Sequence, residues 1–200
     1  MATSSEGGRR GSALSLGTRQ IVVAGILGGI AVFLGATRLG LIPVPIPLVG
    51  NATIMHIPAV LGGALEGPLV GMFAGGIFGL YSFLYAEVPL FTNPIIAIGP
   101  RLLIGVVAWA VFVALRGVNV DLASAVSGLL GSMTNTVGVL GLGVLLGYLP
   151  LAAVVPIIPQ AVAEAVLAAV VTVVVVRGVL LYRSGRTTAP EPGAEEEKRY

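Results

Sequence analysis

Residues 93–105 read NPIIAIGPRLLIG, an apolar stretch with a single charge, Arg101, near its middle. This composition suits the interior of a lipid bilayer, where a charged side chain costs at least ~2.5 kcal/mol even on the most lenient insertion scale. An ionisable residue inside a membrane segment is therefore treated as functional by default. The stretch predicts a transmembrane helix and makes Arg101 the first candidate for a binding residue.

The composition of the whole chain agrees with a membrane location. Hydrophobic residues make up 56% of the 200 residues and charged residues only 10%, unlike the balance of a soluble domain. The chain has no cysteine and a single histidine, so disulfides, thiolate chemistry and multi-histidine zinc sites are excluded. We expect an all-α integral membrane protein that contacts the lipid bilayer, with no metal, no cofactor and no nucleic acid partner.

Hydropathy, read against glycine, proline and charge, predicts six transmembrane helices in one bundle. The segments are residues 20–37, 52–65, 68–85, 94–115, 122–148 and 155–182. The second is short for a span, and the tight turn Glu66-Gly67-Pro68 joins it to the third as a hairpin. Residues 1–19 and 183–200 are polar and predict disordered tails on either side of the 20–182 domain.

The basic residues predict the orientation of the bundle. Of the 11, Arg101 lies in the middle of a segment and Arg38 in an opposite loop, while the other nine lie in the termini, near the C-terminal end of the sixth segment or in the connection between the fourth and fifth segments. These nine are Arg9, Arg10, Arg19, Arg116, Arg177, Arg183, Arg186, Lys198 and Arg199. By the positive-inside rule both termini are cytoplasmic, and residues 39–51, 86–93 and 149–154 face outward.

Four polar residues on four different segments come out at one depth. A rise of ~1.5 Å per residue places His56, Arg101, Asn135 and Glu164 about 8 to 12 Å below the outer surface. Gln160 stands four residues before Glu164 on the same helical face. This coincidence predicts a substrate-binding cavity that opens outward, lined by these five residues.

Each candidate also has a structural interpretation. Arg101 and Glu164 could neutralise each other as an ion pair, and His56 could be a packed histidine with one hydrogen bond. Asn135 could bridge helices, as membrane asparagines do. Tyr85 belongs, with Tyr81 and Phe91, to an expected belt of aromatic residues at the outer interface, although it could instead line the cavity.

The segments together resemble the substrate-binding S components of energy-coupling factor (ECF) vitamin transporters, a class of ABC transporter. The resemblance is carried by ATIMHIPAVLGGALEGPLVGMFAGGIFGLYSF, NPIIAIGPRLLIGVVAW and GSMTNTVGVLGLG, and it covers residues 18–182. These segments are most similar to the pantothenate-type members. The resemblance implies a plasma-membrane protein of a bacterium that binds a vitamin outside the cell, most simply pantothenate, with folate or riboflavin as alternatives.

The same resemblance implies partners. S components associate with a transmembrane coupling protein and two cytoplasmic ATPase subunits, and this chain has no phosphate-binding loop of its own. Family members dock through an Ala-xxx-Ala motif on the first helix, for which Ala24 and Gly28 are the best match here. The first outward loop, residues 39–51, would lie over the site as a lid.

Two other classes of function remain open from the residues alone. An intramembrane hydrolase would use His56 with Ser82, Ser132 or Thr134, but none of these hydroxyls lies in a nucleophile motif. A stand-alone secondary transporter would use His56 and Glu164 as an ion or proton relay. The absence of a visible inverted repeat disfavours that second class, and we do not expect an enzyme.

Overall fold

The computed structural model describes residues 16–42 and 51–187 of the chain. Within them lie six α-helices: α1 (Thr18–Ala36), α2 (Ile57–Glu66), α3 (Pro68–Leu84), α4 (Pro94–Leu115), α5 (Val120–Leu145) and α6 (Ile158–Thr187). Two short 3-10 helices, Pro89–Thr92 and Leu151–Ile157, precede α4 and α6. The all-α prediction is confirmed, and each helix begins and ends within a few residues of its predicted segment, except for the late start of α2 and the late end of α6.

Four helical segments of the described chain are long and apolar enough to cross a membrane. They are Thr18–Ala36, Pro94–Leu115, Val120–Leu145 and Leu151–Gly185, the last of which contains most of α6. The helices α2 and α3 are apolar but shorter. With 10 residues, α2 is about 15 Å long, half the thickness of a bilayer core.

A two-stranded antiparallel ribbon precedes α2 where the sequence predicts helix from residue 52. Strand β1 (Leu41–Ile42) pairs with β2 (Ala52–Thr53), with Leu41 opposite Thr53. The predicted lid, residues 39–51, therefore includes β1 and ends just before β2, and its residues 43–50 lie outside the described residues. So do most of both predicted tails, although α6 extends past residue 182 to Thr187.

The helices pack in chain order around the short α2, which contacts every other helix. Helix α4 packs against α3 on one side and α5 on the other, and α5 also packs against α6. Glycines of α3 allow this packing: a Cβ on Gly71 or Gly75 would collide with the α4 backbone at Gly105 or Arg101. Close backbone contact of this kind drives helix association in membranes, where burial of apolar surface cannot.

Charged residues mark the two ends of the bundle. At one end, called here the Glu66 end, Arg19 of α1 and Arg183 of α6 both donate to the carboxylate of Glu66, at 2.5 and 2.6 Å. The N-terminal end of α1 and the C-terminal end of α6 therefore lie on the same side of the bundle. At the opposite Glu87 end, Arg38 forms an ion pair with Glu87 at 3.4 Å.

The turn between α2 and α3 depends on a glycine. Gly67 has φ 113°, a conformation that residues with a side chain rarely adopt. Pro68, which follows, is the first residue of α3, where its missing N–H leaves no hydrogen bond unmade. The predicted Glu66-Gly67-Pro68 hairpin turn is thus confirmed, and it places the first turn of α3 beside the end of α2.

Candidate ligand-binding site

A cavity of about 120 Å³ lies among α3, α4, α5, α6 and the chain that precedes α2, and it extends to the Glu87 end. A single water needs only ~10–15 Å³ of such space, so the cavity has room for a small organic molecule. The sequence-predicted residues that line it are Tyr85, Arg101, Asn135, Gln160 and Glu164. Each of α4, α5 and α6 therefore contributes a polar side chain to the wall.

The orientation of Arg101 follows from the proline before it. Pro100 lies inside α4 and has no N–H, so the carbonyl of Ile96, four residues earlier, loses its helical hydrogen bond. The Nη1 atom of Arg101 donates to this same carbonyl at 2.7 Å. Pro100 thus leaves the Ile96 carbonyl without its helical donor, and the guanidinium of Arg101 replaces that donor. This hydrogen bond holds the Arg101 side chain against the wall of the cavity.

Two phenylalanines surround the guanidinium. Its central carbon lies 5.2 Å from the centroid of the Phe78 ring and 4.6 Å from that of Phe91. Contacts of a cation with aromatic faces stabilise a charge that has left water. Sequence reasoning placed Phe91 in the interface belt and assigned Phe78 no role, and spacing alone gave no signal for either contact.

Arg101 has no anionic partner among the described residues. Its side chain is only 2% exposed, it belongs to none of the ion pairs, and its Nε has no hydrogen-bond acceptor. No described residue accepts a hydrogen bond from Nη2 either. The Nε and Nη2 atoms form the edge of a guanidinium that binds a carboxylate with two parallel hydrogen bonds.

The alternative ion pair between Arg101 and Glu164 is not formed. Instead, Oε1 of Glu164 accepts hydrogen bonds from the backbone N–H of Thr53 at 2.9 Å and from Nε2 of Gln160 at 3.1 Å. The predicted pairing of Gln160 with Glu164 on one face of α6 is therefore present. Thr53 was missed, because its contribution is a backbone N–H that no side-chain pattern reports.

Asn135 is 6% exposed, lines the cavity, and its Oδ1 has no hydrogen-bond partner among the described residues. The neighbouring Gly131 and Gly138 face Val60 of α2 and Pro100 of α4. These close contacts hold α5 against both helices. Asn135 is thereby kept beside the cavity between the polar residues of α4 and α6.

The sequence of the chain matches a known protein family. The model of the family described as "ECF transporter, substrate-specific component" matches residues 19–176, well over half of the chain. The chain belongs to this family. Members are substrate-binding subunits of transporters rather than enzymes. A search of curated proteins found no significant match.

His56 lies outside the cavity wall of this S component. Its side chain is fully buried, and neither ring nitrogen has a hydrogen-bond partner of good geometry among the described residues, although the backbone of Thr53 lies near the ring. The depth estimate treated residues 52–65 as helix, but α2 begins only at Ile57. The chain before it is a strand at Ala52–Thr53 and a turn at Met55–His56, and Thr53 and Met55 line the cavity instead.

The aromatic residues at the end of α3 belong to the cavity of the S component as well as to its surface. Tyr81 and Tyr85 stack with their ring centroids 4.8 Å apart, and both line the cavity. Tyr85 is 65% exposed, so it lies at the mouth rather than in the depth of the site. The belt and cavity interpretations therefore both describe its position.

The residues predicted for docking lie on the inward face of α1. Ala24 and Gly28 are buried, and a Cβ on Gly28 would collide with the side chain of Ile77 in α3. Gly25 and Gly29 have the same spacing, are exposed, and would have open space around an added Cβ. The exposed stripe of small residues on α1 is therefore offset by one position from the predicted pair.

The hydrolase alternative lacks the necessary contacts. Neither nitrogen of His56 makes a hydrogen bond to a hydroxyl of the described residues. The hydroxyl of Thr134 donates to the carbonyl of Leu130 within its own helix. A general base must lie within hydrogen-bond reach of its nucleophile, and His56 has no such partner.

Proposed function

We propose that this S component captures a carboxylate-bearing vitamin from outside the cell in the cavity described above, and that the vitamin is pantothenate. The observation that carries the proposal is Arg101, a buried guanidinium with one edge free and no anionic partner among the described residues. A charge taken out of water without a partner is costly. A ligand carboxylate that accepts from Nε and Nη2 would supply that partner.

Pantothenate carries one carboxylate, whereas folate carries two and riboflavin none. The segments quoted above are most similar to pantothenate-type S components, and the cavity offers one cation with a free edge. Folate and riboflavin stand as the alternatives. In this proposal Arg101 binds the carboxylate, while Asn135, Gln160, Glu164 and Tyr85 contact the rest of the molecule.

The proposed topology has six spans, with the α2–α3 hairpin counted as two, and both termini in the cytoplasm. It is supported by the basic residues at the Glu66 end, where the N-terminal end of α1 and the C-terminal end of α6 meet. The cavity then opens to the outside of a bacterial plasma membrane. A coupling protein and two ATPase subunits would bind from the membrane and the cytoplasm and supply the energy of ATP.

For docking we propose the exposed face of α1. Ala24 and Gly28 could meet a coupling protein only if α1 separated from α3, since Gly28 is packed against Ile77. Gly25 and Gly29 offer a flat surface of the same spacing without any such movement. Small residues at this spacing allow the helix of a partner to approach closely.

The test of the ligand is isothermal titration of the detergent-purified chain, stripped of bound ligand, with pantothenate, folate and riboflavin. We expect one-to-one binding of pantothenate. In Arg101→Ala the affinity should fall about 100-fold or more, because a buried carboxylate loses its charged partner. Arg101→Lys should restore little, since a lysine cannot form the paired hydrogen bonds.

Arg116→Ala, at the other end of the same helix, is the matched control and should bind as the wild type does. Each variant is first checked for a single peak in size-exclusion chromatography. Unchanged affinity in a monodisperse Arg101→Ala preparation would contradict the assignment of the cavity. Tight binding of folate or riboflavin instead of pantothenate would show that the chain is a binding subunit but that the proposed ligand is wrong.

A further inference from the structure

Three residues that line the cavity each have one oxygen atom without a hydrogen-bond donor among the described residues. These atoms are Oδ1 of Asn135, Oε1 of Gln160 and Oε2 of Glu164. The first two atoms are fully shielded from solvent. Buried acceptors in this condition are rare in proteins, because each one has lost its hydrogen bond to water without replacing it.

These acceptors and the cation stand on different helices. Helix α5 lies between α4 and α6, so Asn135 lies between Arg101 on the α4 side and Gln160 with Glu164 on the α6 side. The acceptors that lack a donor therefore lie in the middle of the cavity and on the side opposite Arg101.

The acceptors of α6 are held in place. Nε2 of Gln160 and the N–H of Thr53 both donate to Oε1 of Glu164. The amide of Gln160 is thereby turned so that its Oε1 points away from Glu164, and Oε2 of the carboxylate stays free. Preorganised groups of this kind bind a ligand without a further cost of ordering.

Glu164 also carries the negative charge that a ligand meets on this side. The other carboxylate of the wall, Glu87, is compensated by Arg38 at 3.4 Å. Among the described residues, the partners of Glu164 are neutral hydrogen-bond donors. A second anionic group on the ligand would therefore face an uncompensated like charge in a region with little water to screen it.

We infer that Asn135, Gln160 and Glu164 determine specificity. Asn135 and Gln160 select hydroxyl or amide N–H donors on the ligand, and Glu164 excludes ligands with a second negative charge. The inference rests on the proposed function, since it assumes that the cavity binds the transported substrate. It defines the substrate class as a monoanion with hydrogen-bond donors remote from its carboxylate.

The first experiment uses the wild-type chain and a panel of vitamins that separates these features. Pantothenate and biotin are monoanions with remote donors, nicotinate is a monoanion without donors, folate is a dianion, and riboflavin is neutral. We expect the tightest binding from pantothenate or biotin. A derivative of the better ligand in which the remote hydroxyls or N–H groups are methylated should bind at least about 10-fold more weakly.

The second experiment uses variants that keep the shape of each side chain. Asn135→Leu and Gln160→Met should each weaken the best ligand by about 5- to 100-fold. Glu164→Gln should raise the affinity for folate relative to that ligand by about 10-fold or more, because the like charge is removed. Thr134→Val is the matched control on α5, since its hydroxyl is bonded within the helix, and it should change neither value.

The outcomes separate the inference from the proposed function. If biotin binds and pantothenate does not, and the variants respond as stated, the pantothenate assignment is wrong and the inference stands. A best ligand that is nicotinate, folate or riboflavin, or a methylated ligand that binds as well as its parent, would overturn the inference while a binding subunit remains. If no member of the panel binds, both are overturned.

Discussion

Pro100 and Arg101 place a charge inside the membrane at a defined orientation. The proline removes the helical hydrogen bond of the Ile96 carbonyl, and the arginine next to it donates to that carbonyl. Broken helical hydrogen bonds in membranes are tolerated where another group satisfies them. Here that group is also the candidate ligand-binding residue, so the proline acts on the site through Arg101.

At this scale we predict that Pro100→Ala weakens carboxylate binding about 5-fold or more while it leaves the protein folded. The alanine N–H can bond to the Ile96 carbonyl, which releases Nη1 of Arg101 and with it the orientation of the guanidinium. The measurement compares pantothenate with pantothenol, in which an alcohol replaces the carboxylate. A purely structural defect would weaken both ligands equally.

Pro94→Ala serves as the control, because Pro94 is the first residue of α4 and its missing N–H costs no hydrogen bond. It should leave both affinities unchanged. Equal affinities of Pro100→Ala and the wild type for pantothenate would show that Nη1 does not need the freed carbonyl.

At the scale of the helices, the crossing of α2, α3 and α4 depends on glycine. A Cβ on Gly105 would collide with the backbone of Gly71, and one on Gly63 would collide with that of Gly105. Backbone atoms cannot move aside as a flexible side chain can. The three helices therefore approach so closely only because none of these positions carries a side chain.

We predict that Gly105→Ala lowers the free energy of unfolding by about 1–3 kcal/mol, the usual cost of overpacking. Gly99→Ala in the same helix meets nothing within 4 Å and should be neutral or slightly stabilising. Thermal unfolding of both variants in the same detergent makes the comparison. Equal stability of the two would mean that α3 and α4 are not in close backbone contact.

Helix α1 allows a similar comparison for docking. Gly28→Leu should destabilise the protein, because its side chain would enter the space of Ile77. Gly29→Leu should keep stability and ligand affinity but reduce ATP-dependent uptake by the assembled transporter, because the larger side chain on the exposed face prevents close approach of a partner helix. Normal uptake by Gly29→Leu would remove this face from the proposed docking site.

At the scale of the whole molecule, the proposed topology can be tested with single cysteines, since the chain has none of its own. Val118, between α4 and α5, is 79% exposed, and Leu151, between α5 and α6, is 74% exposed. In intact cells a membrane-impermeant thiol reagent should label Leu151→Cys. Val118→Cys should react only after permeabilisation, and the reverse pattern would invert the orientation.

The division of labour is also a property of the whole assembly. We predict that the chain alone in liposomes binds its vitamin but does not transport it, and that uptake requires the coupling protein, both ATPase subunits and ATP. Ionophores that collapse proton and sodium gradients should have no effect. Uptake by the chain alone, abolished by such an ionophore, would favour a stand-alone ion-coupled transporter.

The sequence alone determined the class of protein, the positions of its helices and the hairpin between α2 and α3. These features depend on local composition: runs of apolar residues, prolines at helix starts, and a glycine in the turn at Gly67. The polar candidates could also be found, because a charge such as Arg101 or Glu164 stands out in an apolar segment.

Only the tertiary structure decided which side chains face the cavity. In a soluble protein the polar face of a helix marks the solvent side and the apolar face marks the interior. In a membrane both the lipid-facing and the inward-facing sides are apolar. The hydropathy pattern of the sequence therefore does not predict the rotation of α1 about its axis, or the burial of Ala24 and Gly28 that follows from it. The late start of α2, which turns His56 away, and the contacts of Phe78 and Phe91 with Arg101 depend on chain segments remote in sequence, so only their packing together decides them.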